Sequence, residues 1–172
     1  MSDEHSNHSV RKETNHPTPQ ISTLERREIQ APLMACLIDG FIRELGHEPA
    51  MRVASTAIQA DAREAGKTIA RKFGRNTTRE LMRVVRQVWA EDDALVYDIL
   101  EETDQMLSFN VTRCRYVEMY ERLGLKEFGY CLSCNRDEPL INGFNPHMKL
   151  IRTHTIMQGA QICDFRIIVE EK

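Results

Sequence analysis

The chain has 172 residues, 41% hydrophobic and 28% charged, with a formal net charge of -3. That length suits one domain, and that composition excludes a wholly disordered chain. No apolar run reaches the ~20 residues of a membrane span, and the slightly acidic balance argues against a nucleic-acid binder.

Residues 1–22 form a polar tail rich in Ser, Asn, His and Thr, with His5, His8 and His16 in it. Such a composition does not offset the entropy of ordering, so a disordered tail is expected. It lacks the apolar segment of a secretory signal, which points to a cytoplasmic protein. A single domain is expected from residue 23 onward, helical to about residue 92 and sheet-rich beyond. The five cysteines are Cys36, Cys114, Cys131, Cys134 and Cys163. An odd count without an export signal favours reduced thiols, free for packing, metal binding or nucleophilic chemistry.

Three helices are predicted first. Leu24 to Leu45 carries Leu33, Leu37 and Phe41 at four-residue spacing, with Gly46 as a stop and Pro32 marking a kink or a late start. A second helix opens near Pro49 and keeps Met51, Ala54, Ile58, Ala62, Ala65, Ile69 and Phe73 on one face, up to Gly74. A third starts at Thr77 with a capping-box pattern to Glu80, then Leu81, Val84, Val85 and Val88. Trp89 joins Val85 and Val88 as an anchoring face.

After Asp93 the pattern changes. Ala94 to Glu102 and Gln105 to Arg113 read as a hairpin around Thr103-Asp104, with Leu95, Tyr97 and Ile99 on one face of the first strand. Arg115 to Leu123 reads as a short helix ended by Gly124. Lys126 to Pro146 reads as loop, with Gly143-Phe144-Asn145-Pro146 as turn chemistry. Met148 to Met157 and Ile162 to Glu170 read as a second hairpin around Gly159. Alternation puts Cys163 and Phe165 on one face, Asp164 and Arg166 on the other. The expected fold class is α+β, with N-terminal helices packed on a small antiparallel β-sheet formed by the C-terminal half.

Candidate chemistry concentrates late in the chain. Cys114, between Arg113 and Arg115, falls where a strand hands over to a helix N-terminus. Unpaired amides and two guanidiniums favour a thiolate there, and burial under the sheet is the alternative. Cys131 and Cys134 form a CxxC pair. With His147 and His154 the spacing is C-x2-C-x12-H-x6-H, loosely like a zinc site but too long at its end. A thioredoxin-like redox pair would want a βαβ setting, which the pattern lacks; a nucleophile and acid/base pair, Cys134 with Asp137, is the third functional reading, and a buried loop with Asp137 capping backbone amides is the alternative. Arg152 and Arg166 are candidates for holding a carboxylate, or else surface ion-pair partners.

Four segments then combine. They are Phe109-Asn110-Val111-Thr112-Arg113-Cys114-Arg115-Tyr116, Leu132-Ser133-Cys134-Asn135-Arg136-Asp137, Gly143-Phe144-Asn145-Pro146, and the ending from Arg152-Thr153-His154 to Gln161-Ile162-Cys163-Asp164-Phe165-Arg166. Together, in that order, they resemble the L-2-amino-thiazoline-4-carboxylic acid hydrolase family, best over about residues 104–168 and more loosely from about 25.

The resemblance implies a small cytoplasmic hydrolase that opens a cyclic amidine or isothiourea ring, in the named activity yielding N-carbamoyl-L-cysteine. It implies no cofactor. The expected partner is a small-molecule substrate, not nucleic acid or membrane, and a homo-oligomer through the helical front is left open. Candidate catalytic residues are Cys134 and Asp137, then Cys114, then Cys163. Candidate substrate contacts are Asn110, Arg113, Arg136, Asn145, Arg152 and Arg166. A small-molecule-binding or sensor domain without catalysis, and a zinc-stabilised interaction module, are the competing readings.

Overall fold

The computed structural model describes residues 21–170, so most of the polar tail expected to be disordered lies outside the described residues. Ser22 caps the first described helix. Its hydroxyl accepts from the Glu25 amide at 3.2 Å, and the Glu25 carboxylate accepts from the Ser22 amide at 2.8 Å. This capping box starts α1 (Thr23–Leu45) ahead of Pro32, which the helix accommodates, and Gly46 ends it at φ 83°.

The buried face of α1 is not the expected one. Leu24, Ala31, Ala35 and Ile38 face inward, while Leu33 (68% exposed), Leu37 and Phe41 face out. Small alanines let α1 lie close against its neighbours, and four-residue spacing of larger side chains marked the opposite side. In α2 (His47–Phe73) the expected stripe does turn inward, with Ala54, Ile58 and Ala62 buried. Gly74, at φ 72°, supplies the left-handed cap that ends it.

Helix α3 (Thr78–Val84) runs on into a single π turn, Val85–Trp89, closed by the Ala90 amide on the Val85 carbonyl at 2.8 Å. The Thr77 hydroxyl donates to Glu80 instead of capping an amide. Strands β1 (Leu95–Glu102) and β2 (Met106–Cys114) then make the first hairpin. Leu95 and Tyr97 turn inward, but Ile99 lies at a register irregularity and is exposed.

Helix α4 (Arg115–Arg122) follows directly. The stretch expected to be loop is instead helical: α5 (Lys126–Leu132), a 3-10 turn at Cys134–Arg136, and α6 (Asp137–Phe144). Its apparent breakers have other roles. Pro139 sits in the first turn of α6, where a missing N–H costs nothing. A Cβ on Gly143 would stand 2.1 Å from the Arg63 carbonyl oxygen, and one on Gly66 would stand 2.1 Å from that of Leu140. These two glycines let α2 and α6 cross in backbone contact. The turn expected at Gly143 therefore begins only at Asn145.

The second hairpin is shorter than predicted. Strands β3 (Met148–Ile151) and β4 (Cys163–Val169) pair antiparallel. Past Ile151 the chain leaves the ladder, because the Thr153 and His154 amides donate to the Asp164 carboxylate. A 3-10 turn, Ile156–Gln158, and Gly159 at φ 95° complete the connection. The four-stranded sheet has the order β1-β2-β4-β3, antiparallel throughout.

Two apolar cores result. One lies between the inner sheet face (Leu107, Phe109, Val111, Phe165, Ile167) and α3 with α6. The other joins α1, α2, α4 and α5. Leu95, Cys114 and Ile156 touch both. No helix among the described residues is long and apolar enough to cross a membrane.

Candidate functional site

A cavity of about 80 Å³ opens at the seam between the two cores. Five elements meet there. Cys114 comes from the β2–α4 junction, Cys134 from the 3-10 turn, Asp137 from the first residue of α6, Arg152 from just after β3, and Cys163 from the first residue of β4. Apolar walls are supplied by Trp89, Leu95, Val111, Leu140, Met157 and Phe165.

Arg152 organises the polar end. It forms an ion pair with Asp137, and its Nη2 donates to the Cys134 carbonyl at 3.1 Å. Its guanidinium lies 5.1 Å from the centre of the Phe165 ring, which itself stacks on Phe109 at 4.7 Å. The two charged side chains are only 8% and 22% exposed, so this pair is not a surface bridge. Burial pushes the Asp137 carboxyl up, and the Arg152 charge pulls it back without cancelling the shift. Burial lowers the Arg152 guanidinium, but the adjoining Asp137 outweighs that and leaves it firmly protonated. The first turn of α6 adds the favourable end of a helix dipole to Asp137.

All three pocket thiols are held in the protonated form. Burial pushes Cys114 up to about 11, against the opposing pull of the Val117 and Tyr116 amides. Burial also raises Cys134, reinforced by the charge of Asp137. Cys163 is raised in the same way, although its sulfur accepts the Ile156 amide at 3.2 Å. Of the two readings of Cys114, the raised thiol favours burial under the sheet. The helix N-terminus is present, but the arginines are elsewhere: Arg113 pairs with Glu118 at 2.7 Å and Arg115 donates to the Asp92 carbonyl at 2.5 Å.

Of the expected site residues, Cys114, Cys134, Cys163, Asp137, Arg136 and Arg152 line this one pocket. The other four lie apart from it. Arg113 is on the surface with Glu118. Asn110 and Arg166 bond to each other at 2.8 Å, and the same Arg166 reaches the Phe109 and Phe165 carbonyls, on the sheet face away from the cavity. Asn145 donates to the Asn76 carbonyl at 2.8 Å and accepts the His147 amide at 2.9 Å, which is a turn-closing role.

The zinc spacing does not close. Cys131 is buried against Ser55, with 3.5 Å between sulfur and oxygen, while His147 and His154 are exposed. Among the described residues no group of three His, Cys, Asp or Glu is placed to hold a metal.

Sequence reasoning missed Arg27 and Tyr116 as pocket residues. Tyr116 donates its hydroxyl to the Trp89 carbonyl at 3.1 Å, tying α4 to the π turn. Arg27 follows Thr23 by four residues and precedes the buried Ala31 and Ala35 by four and eight, so it shares their face. An arginine in line with buried alanines was the available signal, hidden by reading α1 from its larger apolar residues.

A helical layer on an antiparallel sheet, with a small charged pocket at their junction, defines an α+β fold. Residues 26–167 match the L-2-amino-thiazoline-4-carboxylic acid hydrolase family, and the chain belongs to that family. No curated protein matches the sequence. Among solved structures, a trafficking protein particle complex subunit 3 from Naegleria fowleri, covalently bound to palmitic acid, is similar in fold. It aligns with a TM-score of 0.51 at 8% identity, covering 86% of this chain and 96% of that one.

Proposed function

We propose that the chain is a hydrolase of a small cyclic amidine or isothiourea, with L-2-amino-thiazoline-4-carboxylate or a close relative as substrate and Asp137 as the acid/base group. The observation that carries this reading is the part-buried Asp137–Arg152 pair at the edge of a small pocket, in a chain of this family. A carboxyl raised from its ordinary range exchanges protons nearer neutral pH than a solvated one does.

In this scheme water attacks the ring carbon that bears sulfur and two nitrogens. The new C–O bond forms as Asp137 accepts the water proton. The C–S bond then breaks, and the sulfur leaves with that proton as a thiol. The remaining hydroxyl proton passes to the ring nitrogen as the C=O bond forms, so the product carries a carbamoyl group on nitrogen. Arg152 keeps Asp137 aimed and offsets its charge. Cys114, Cys134 and Cys163, being protonated, wall the pocket rather than attack.

A second reading, a pocket that binds without turnover, is favoured by those same protonated thiols, since no thiolate stands ready in the free protein. Incubation with L-2-amino-thiazoline-4-carboxylate, followed by mass spectrometry of N-carbamoyl-cysteine, separates the two. Turnover is expected, falling ~100-fold or more in Asp137→Asn and less than ~10-fold in Cys134→Ser. Turnover abolished equally by Cys134→Ser moves the nucleophile to that sulfur. Binding without product supports the second reading.

A further inference from the structure

Three arginines line the cavity, Arg27, Arg136 and Arg152, against one carboxylate, Asp137. Arg152 and Asp137 satisfy each other. The remaining two cations are poorly matched. Arg136 is 7% exposed, and its Nη2 reaches Asp61 at 2.6 Å, but the Asp61 side chain is itself 72% exposed to water. The Nε–H of Arg136 is buried and has no hydrogen-bond partner among the described residues. An orphaned, charged donor inside a protein is costly and needs an explanation.

Arg27 lines the same cavity from α1. Its hydrogen bond is a 3.2 Å contact to Gln30, one turn along the helix. Burial, and next the charge of Arg136, push its guanidinium below the ordinary arginine value. Two like charges thus line one mostly apolar cavity, one of them with an unused donor. An anion placed between them gains from both charges and fills the vacant hydrogen bond, and guanidinium groups fit a carboxylate well.

We infer that Arg27 and Arg136 form a subsite for one carboxylate, so that the pocket selects small heterocyclic acids over their neutral counterparts. This deepens the hydrolase reading, on which it rests for where the reacting ring lies. The carboxylate sits between Arg27 and Arg136, leaving Asp137 and Arg152 to face the ring.

The test is calorimetric binding of 2-aminothiazole-4-carboxylate and its 4-carboxamide to the full chain, because this aromatic ring is not opened. The acid is expected to bind ~10-fold or more tightly than the amide. That preference is expected to shrink to ~2-fold in Arg27→Gln and to persist in Arg27→Lys. Equal affinities, an undiminished preference in Arg27→Gln, or binding of neither probe overturn the subsite. If Arg27→Gln does not fold, the two probes on the unaltered protein still decide. Acid-selective binding with no turnover of the thiazoline keeps this subsite and removes the hydrolase reading. Turnover with no acid preference does the reverse.

Discussion

Replacing Gly143 by Ala drives a methyl group into the crossing of α2 and α6. The new carbon would stand 2.1 Å from the Arg63 carbonyl oxygen, 2.9 Å from its carbonyl carbon and 3.0 Å from its Cα. All three are main-chain atoms, so no side-chain rotation relieves the clash. The helices must part by about 1 Å to regain ordinary contact. Overpacking of this kind costs about 1–3 kcal/mol, and alanine's better helix propensity returns about 1 kcal/mol. Because the obstruction is backbone, the upper end applies, and a net loss of about 2 kcal/mol is expected. Gly40→Ala, in α1 with nothing within 4 Å of the added carbon, is the control. There only propensity acts, and stability should rise by up to about 1 kcal/mol. Urea denaturation followed by circular dichroism reads both, with unchanged m-values. A second effect is expected on the pocket. Asp137 opens α6, so parted helices move it relative to Arg152, and the affinity for 2-aminothiazole-4-carboxylate should fall although residue 143 lies outside the cavity. A Gly143→Ala protein as stable as the parent would refute the close crossing.

Two pH-linked predictions follow from the same structure. The Cys114 and Cys134 thiols keep their protons in the folded protein above the point, near pH 8.5, where unfolded thiols lose them. Stability from this source is fully present below that pH and drains away as pH rises toward about 11 for Cys114. Melting temperatures should fall along that limb, and iodoacetamide near neutral pH should label exposed Cys36 before the pocket thiols; rapid labelling of Cys134 would show a thiolate. For Asp164, burial raises the carboxyl, but bonds from the Thr153 hydroxyl and the Thr153 and His154 amides prevail and hold it at about 2. Its contribution is present above the unfolded value of about 4 and is lost as pH falls toward 2. Asp164→Asn should flatten that acid limb in melting curves; an unchanged limb means these bonds do not set it.

Much of the fold is legible in the residue pattern where one periodicity governs a long stretch. The stripe from Met51 to Phe73 has helical period and two capping signals, so α2 emerges with its correct face. In the first hairpin, alternation puts Leu95 and Tyr97 on one face of the first strand, and both turn inward. Failures occur where tertiary contact overrides local chemistry. Gly143 reads as a turn because isolated glycines usually are, yet it is there to let another backbone approach. Pro139 lies in the stretch read as loop, yet it occupies the first turn of α6. In α1 the large residues misled, since Ala31 and Ala35 are buried precisely because they are small. Asp164 shortens β3 by capturing two amides from across the connection, a long-range bond that no local window contains.

The site was legible in its residues more than in its chemistry, and the reason is burial. Cys114 does lie at a helix N-terminus, as the strand-to-helix change implies. What the sequence does not carry is that both cores meet on it, so desolvation outweighs the amides. A seam between two packed cores is also where a cavity arises, because side chains there must fit two differently oriented surfaces. Cysteines suit that position: they are small, and they tolerate burial without a strong partner. With the thiols held neutral, Asp137 is the carboxyl lining the cavity, raised by burial and held by its ion pair with Arg152. Under the proposed chemistry the thiols' part is therefore to keep the pocket dry and uncompetitive, which concentrates proton transfer on a single carboxylate.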